Sequence, residues 1–221
     1  MKYLVLLVFG LSWGLAKEPQ LVNILEMVPD IQLELRYAGT NNFVGDVVDG
    51  YCRPICLVSR PAGEALKGVQ AQLKPFGLGL KVFDAYRPQR AVDHFVRWAK
   101  DLEDTKMKSE YYPMVAKGVL FKQGYIAAKS GHSRGSTIDL TLVDLKSGSE
   151  LDMGTPFDFF GHQSWVHEQG LTAVQRANRL LLRTVMLQNG FRPYDQEWWH
   201  FTLRGEPFPE TYFDIPLGCE E

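Results

Sequence analysis

Between Thr137 and Leu142 the chain alternates strictly: Ile138, Leu140 and Leu142 are apolar, and Thr137, Asp139 and Thr141 are polar. A period of two describes a half-buried strand with one face on a core. The residues before it, Ser130-Gly131-His132-Ser133-Arg134-Gly135-Ser136, hold two glycines and no aliphatic side chain, so they form a tight loop. The fold must therefore bring a loop histidine, His132, to the entrance of a strand whose polar face carries Asp139.

Glu197-Trp198-Trp199-His200-Phe201 adds a second requirement. Trp198, His200 and Thr202 fall on one strand face, and Trp199, Phe201 and Leu203 on the other. On a flat strand Glu197 and His200 would point opposite ways. They can share a site only if a bend or bulge at the strand's entrance turns Glu197 round. His132, Asp139 and His200 then offer three metal ligands, and Glu197 a free carboxylate. Three protein ligands, with the fourth position left to water, is the composition of a catalytic zinc site. Singly, each residue has an ordinary explanation: a lone histidine sits satisfied in a core or on a surface, and a strand aspartate caps a turn. Their combination, in a chain with only five histidines, favours a metal.

At this length the motifs also carry a family resemblance. Ser130–Leu142, Asp152–Asp158, Asp84-Ala85-Tyr86-Arg87-Pro88 and Glu197–Phe201 resemble stretches of the VanX-type D-alanyl-D-alanine dipeptidases. These are zinc peptidases related to the D,D-carboxypeptidases of cell-wall metabolism. The resemblance runs from near Val28 to the C-terminus. It implies one Zn2+ per chain on His132, Asp139 and His200, with Glu197 as general base and Arg87 as a fixed cation for the oxyanion. It places Asp158 at the substrate amine, with Ser130 and Tyr37 nearby. The implied reaction is hydrolysis of D-Ala-D-Ala to two D-alanines, in cell-wall peptide turnover or glycopeptide resistance.

Read from the residues alone, Arg87 would pair with Asp84 or Asp93 on the surface, although Pro88 does hold it extended between a strand end and a helix start. Arg90 and Arg97 read as solvated. Tyr37 would be a core tyrosine. Two other functions stay open: a D,D-carboxypeptidase or endopeptidase acting on peptidoglycan stems, and a non-catalytic zinc-stabilised binding protein. Glu197 and Arg87 argue against the last, since neither is needed merely to hold a metal.

Residues 1–16 read as a signal peptide: Lys2, an apolar run from Tyr3 to Leu15, and small residues at Gly14 and Ala16. The expectation is an exported protein, periplasmic or extracellular, with no membrane anchor after cleavage. Residues 17–221 are then a single zinc D,D-dipeptidase domain. A formal charge of −2 argues against a nucleic-acid partner. Three cysteines suit an oxidising compartment; Cys52 with Cys56, or Cys56 with Cys219, are the candidate pairings.

Helices are expected over Pro61–Leu73, from about Gln89 to Glu103, and over Thr172–Asn189, where Thr172 and Gln175 form a capping box. Strands are expected over Val28–Tyr37 and Leu80–Ala85 as well as in the two site segments. Residues 104–112 read as a loop. Residues 147–170 read as a long loop of the kind that carries function, with His162 and His167 as loop histidines. The sum is an α+β fold: a mainly antiparallel sheet carrying the zinc site, flanked by about three main helices.

Overall fold

A computed structural model describes residues 21–219, and the expected signal peptide lies outside them. The described chain opens with a short strand β1 (Leu21–Asn23), a one-turn helix α1 (Ile24–Met27) and a two-residue strand β2 (Gln32–Leu33). Strand β3 (Leu57–Ser59) pairs antiparallel with β1 and leads into α2 (Arg60–Leu73). Then come β4 (Leu78–Asp84), α3 (Gln89–Lys100), the one-turn α4 (Lys108–Tyr111) and β5 (Thr137–Asp144). Helix α5 (Ala173–Gln188) leads into β6 (Phe191–Tyr194) and β7 (Glu197–Leu203).

Five strands make the main sheet, in the order β2-β4-β5-β7-β6. The β4–β5, β5–β7 and β6–β7 pairs are antiparallel, but β2 runs parallel to β4, so the sheet is mixed. Ile138, Leu140 and Leu142 register with Phe201, Val82 and Leu80, a fully buried apolar layer on the face that packs toward α2 and α5. The opposite face carries Thr137, Asp139 and Thr141. It is buried too, so β5 is covered on both faces rather than one. Loops seal that second face, and on it Thr137 and Thr202 share a hydroxyl–hydroxyl bond of 2.9 Å.

The expected helices are α2, α3 and α5, with small changes of extent. The capping box on α5 is present in both directions, Thr172 with Gln175. Helix α3 stops at Lys100, short of Glu103, because the Asp101 side chain accepts from the Glu103 amide at 3.2 Å and turns the chain. In the stretch expected to be a loop, α4 forms and buries Tyr111, whose hydroxyl donates to Asn41 at 2.8 Å.

Val28–Tyr37 is not a continuous strand. Only Gln32 and Leu33 pair, and Tyr37 lies in a 3-10 turn over Arg36–Ala38. The cause is Asn42. Its buried amide donates to the carbonyls of Arg36, Gly39 and Asp46 at 3.2, 2.7 and 2.9 Å, tying the segment into a knot. Tyr37 is thereby turned inward, with 1% of its surface exposed.

The disulfide is Cys52–Cys219, which neither candidate pairing anticipated; Cys56 is free and buried. Leu217 forms a parallel bridge with Tyr51, its amide donates to the Gly50 carbonyl at 2.7 Å, and its carbonyl accepts from the Cys52 and Arg53 amides. That return of the tail brings the two Cα atoms to 5.0 Å. Cys56 instead faces the core, its carbonyl accepting from the Ile24 amide at 3.0 Å.

Candidate active site

Sheet register brings the charged residues together. Asp84 on β4, Asp139 on β5 and His200 on β7 are successive cross-strand partners, a row of three across the sheet. An irregularity between Val82 and Asp84 sets the first of them in line. His132 joins the row from a 3-10 turn over Gly131–Arg134. Ser130 caps that turn by accepting from the His132 amide at 3.3 Å. Gly135 ends it at φ +78, a left-handed conformation that favours glycine, and a Cβ there would press on the end of the Leu21 side chain.

The turn fixes the imidazole. His132 Nδ1 donates to the Ala85 carbonyl at 2.7 Å, which leaves the Nε2 lone pair free. Nε2 lies 3.3 Å from His200 Nδ1 and 3.3 Å from Asp139 Oδ2, and His200 Nδ1 lies 3.1 Å from Asp139 Oδ1. A tetrahedral ion bonded at about 2.0–2.1 Å has ligand-to-ligand edges of about 3.3–3.4 Å. The imidazole–imidazole edge matches that spacing, each imidazole has one Asp139 oxygen at a similar distance, and one ligand atom from each of the three residues lies within 4.8 Å of the others, so together they could hold a metal ion. Asp139 supports the fit. It is 2% exposed, yet its Oδ1 has no hydrogen-bond partner among the described residues. A buried carboxylate oxygen without a donor is costly unless a cation meets it.

The bulge expected at Glu197 is present in the hairpin. Pro193 pairs with Phe201, but the next residue, Tyr194, pairs with Glu197 rather than His200. The slip is three residues, an odd number, so it reverses the alternation and puts Glu197 and His200 on one face. Glu197 Oε2 lies 3.3 Å from His200 Nδ1. Burial, with the charge of Asp139, outweighs His200 and pushes the Glu197 carboxyl up to about 7. Burial likewise lowers His132. Burial opposes charge on Asp139 as well, but the two imidazoles overcome it and hold that carboxyl far below the usual range.

Arg87 pairs with Asp84, as the residues alone suggested, but inside the site rather than on the surface. Its Nε and Nη2 stand 2.9 and 2.8 Å from Asp84 Oδ2, and Nη2 is 3.6 Å from Asp139 Oδ2. The guanidinium also lies over the Tyr37 and Phe95 rings at 5.0 and 5.1 Å. Arg90, expected to be solvated, pairs with Asp214 of the tail, and Arg97 pairs with Asp49. Tyr37 donates its hydroxyl to Asp158 Oδ2 at 2.7 Å. Burial first, then the charge of Asp139, raises the Asp158 carboxyl well above its ordinary value.

One cavity of about 210 Å³ is lined by Tyr37, Arg87, Ser130, His132, Asp139, Asp158, Glu197 and His200 together. That is smaller than the roughly 300–1,000 Å³ of sites for drug-sized ligands. His162 is remote from the chemistry and pairs with Glu168 at 2.7 Å. Sequence reasoning named Asp84 only as a possible surface partner of Arg87, not as a member of this constellation, and missed Tyr51 altogether. Asp84 is 1% exposed, holds Arg87, lies 3.4 Å from His132 Nδ1, and accepts from the Tyr51 hydroxyl at 2.7 Å. A signal existed for Asp84: it is the one acid in the apolar run of β4.

The geometry brings together three side chains that could hold a metal ion, a carboxylate of raised pKa beside them, and a fixed cation, in a small cavity. Known proteins resemble this chain along most of its length. A family described as D-ala-D-ala dipeptidase matches residues 17–217. A D-alanyl-D-alanine dipeptidase of Streptomyces coelicolor is 42% identical over 193 residues, 87% of this chain and 96% of that one. One from Enterococcus faecalis is 41% identical over 193 residues, again 87% and 96%. Among solved structures, the vancomycin resistance D,D-pentapeptidase VanY in complex with Zn(II) overlaps 68% of this chain and 74% of its own at 14% identity, with a TM-score of 0.41. At that distance the likeness is no guide to this chain's chemistry.

Proposed function

The chain belongs to the D-ala-D-ala dipeptidase family, and from that premise we propose that it hydrolyses D-Ala-D-Ala to two D-alanines around one zinc ion held by His132, Asp139 and His200. The observation that carries the reading is the clustering of those three ligands, one donor atom of each within 4.8 Å of the others, with Glu197 Oε2 3.3 Å from His200 Nδ1. When bound, zinc supplies a Lewis acid and lowers the pKa of a coordinated water to about 7.

The chain's own residues do the rest. Glu197 takes the proton of the attacking water and passes it to the leaving amine. Arg87, held by Asp84 through two N–H groups, faces the carbonyl oxygen as negative charge grows there. Asp158 meets the free amine of the dipeptide, which restores a counter-charge to a carboxyl that burial otherwise drives toward its neutral form. Ser130 Oγ uses a lone pair on the His132 amide and keeps its proton to donate to substrate. The size of the cavity favours a dipeptide over a long stem. The Cys52–Cys219 disulfide suits an oxidising, exported location.

Arg87→Ala is expected to cut kcat by about 10²–10³-fold, the usual cost of one preorganised oxyanion donor. It also leaves Asp84 buried without its cation, so the melting temperature falls; stopped D-alanine-release assays and a thermal scan measure the two effects. The functional test uses two substrates. With D-Ala-D-Ala the protein should release D-alanine, a chelator should stop it, and added zinc should restore it. A pentapeptide ending in D-Ala-D-Ala should be cleaved at least a hundredfold more slowly. Equal rates on both would favour the carboxypeptidase, and no turnover of either by zinc-loaded protein would favour a binding role.

A further inference from the structure

Arg179 on α5 is a buried guanidinium, 5% exposed, that meets no carboxylate at ion-pair distance among the described residues. It donates instead to three backbone carbonyls: Nε to Met153 at 2.6 Å, Nη1 to Trp165 at 2.9 Å and Nη2 to Gln163 at 2.8 Å. Met153 precedes Asp158 in the chain, and Gln163 and Trp165 follow it. One side chain thus clasps both limbs of the loop that presents Asp158. Burial brings the guanidinium down to about 10, so it stays charged at neutral pH.

The loop has reason to need a clasp. Asp158 is the sole described non-glycine residue at positive φ, +61, a conformation kept only where the surroundings over-determine it. Its neighbours are tied in the same way. Trp198 Nε1 donates to Thr155 Oγ1 at 2.9 Å, Thr155 and Ser164 share a 3.1 Å bond, and Ser164 donates to the Phe159 carbonyl at 2.7 Å. Asn178, one residue before Arg179, donates to the Asp152 carbonyl at 2.8 Å. A simple loop staple does not require a buried charge. The planar fork of arginine, with divergent donors at fixed angles, holds two separated limbs at one spacing.

We propose that Arg179 is a positioning residue for amine recognition: by clasping the 153–165 loop it sets Asp158 where a dipeptide's free amino group is read. This rests on the reading of Asp158 as the amine's partner. The test compares Arg179→Gln, Arg179→Lys and Asp158→Asn in the zinc-loaded protein. The measurements are kcat and KM for D-Ala-D-Ala, Ki for N-propionyl-D-alanine, which lacks the amine, and bound zinc.

Arg179→Gln should raise KM about tenfold or more, with kcat within threefold, Ki unchanged and zinc stoichiometric. Arg179→Lys, which keeps the charge, should recover part of the loss, and it carries the test if the glutamine variant does not fold. An unchanged KM in both Arg179 variants while Asp158→Asn raises it overturns this proposal alone. So does a parallel rise of KM and Ki, or loss of zinc, which would mark a merely structural role. An Asp158→Asn variant with normal KM overturns the amine reading and this inference with it.

Discussion

Glu197→Gln is expected to lower kcat on D-Ala-D-Ala by about 10²–10⁴-fold, the range over which a positioned acid–base group contributes, while zinc remains stoichiometric. Glutamine preserves the shape of the side chain and its place beside His200, where Oε2 now lies 3.3 Å from Nδ1. What it removes is the ability to accept a proton. In the metal-free chain burial and the Asp139 charge push the carboxyl up to about 7 against the pull of His200. The loss should fall on kcat more than on KM, because proton transfer belongs to the transition state rather than to the bound substrate. Metal analysis of the purified variant, beside a D-alanine-release assay, separates this from ligand loss. Turnover at the parent rate with zinc in place would remove Glu197 from the role of base.

Why Glu197 was legible, and Asp84 was not, follows from what local sequence encodes. The alternation of β5, the capping box of α5 and the Gly135 turn are local patterns, and each residue there answers to neighbours in the chain. The bulge at Glu197 was inferred because two residues of opposite parity had to meet, and the slip of Tyr194 onto Glu197 is the form it takes. The Asp84–Asp139–His200 row depends instead on which strands become neighbours, and that is a property of the whole sheet. The same holds for the parallel pairing of β2. Cys52 and Cys219 meet across a sequence separation of 167 residues because Leu217 pairs with Tyr51, and no short-range signal announces it. The strand expected over Val28–Tyr37 failed for a different reason. One buried side chain, Asn42, overrode the alternation by supplying the Arg36, Gly39 and Asp46 carbonyls with a donor. Arg179 escaped because a basic residue in an amphipathic helix ordinarily faces solvent.

Removing a ligand should have the largest effect of all. His200→Ala and His132→Ala are each expected to reduce D-Ala-D-Ala hydrolysis to background and to abolish tight zinc binding, since two remaining ligands cannot hold the ion in an open tetrahedral site. The two variants should differ in stability. His132 is 1% exposed and its Nδ1 bonds the Ala85 carbonyl at 2.7 Å, so its loss leaves both a cavity and a buried carbonyl without its donor. The His200 side chain is 20% exposed and makes no comparable backbone bond. In metal-free thermal scans His132→Ala should therefore melt well below His200→Ala.

Added zinc should raise the melting temperature of the parent protein, by about 4 kcal/mol of stability at a thousandfold excess over Kd, and should leave both variants unmoved. The Kd in that relation reflects the site's charge. Asp84, Asp139 and Asp158 are buried near one another with Glu197 at the cavity wall, and Arg87 alone cannot offset them. A cation that binds the folded chain relieves the repulsion directly. A His200→Ala protein that kept stoichiometric zinc and full turnover would show that the ion sits elsewhere, and the clustering of these three side chains would then have no part in the chemistry.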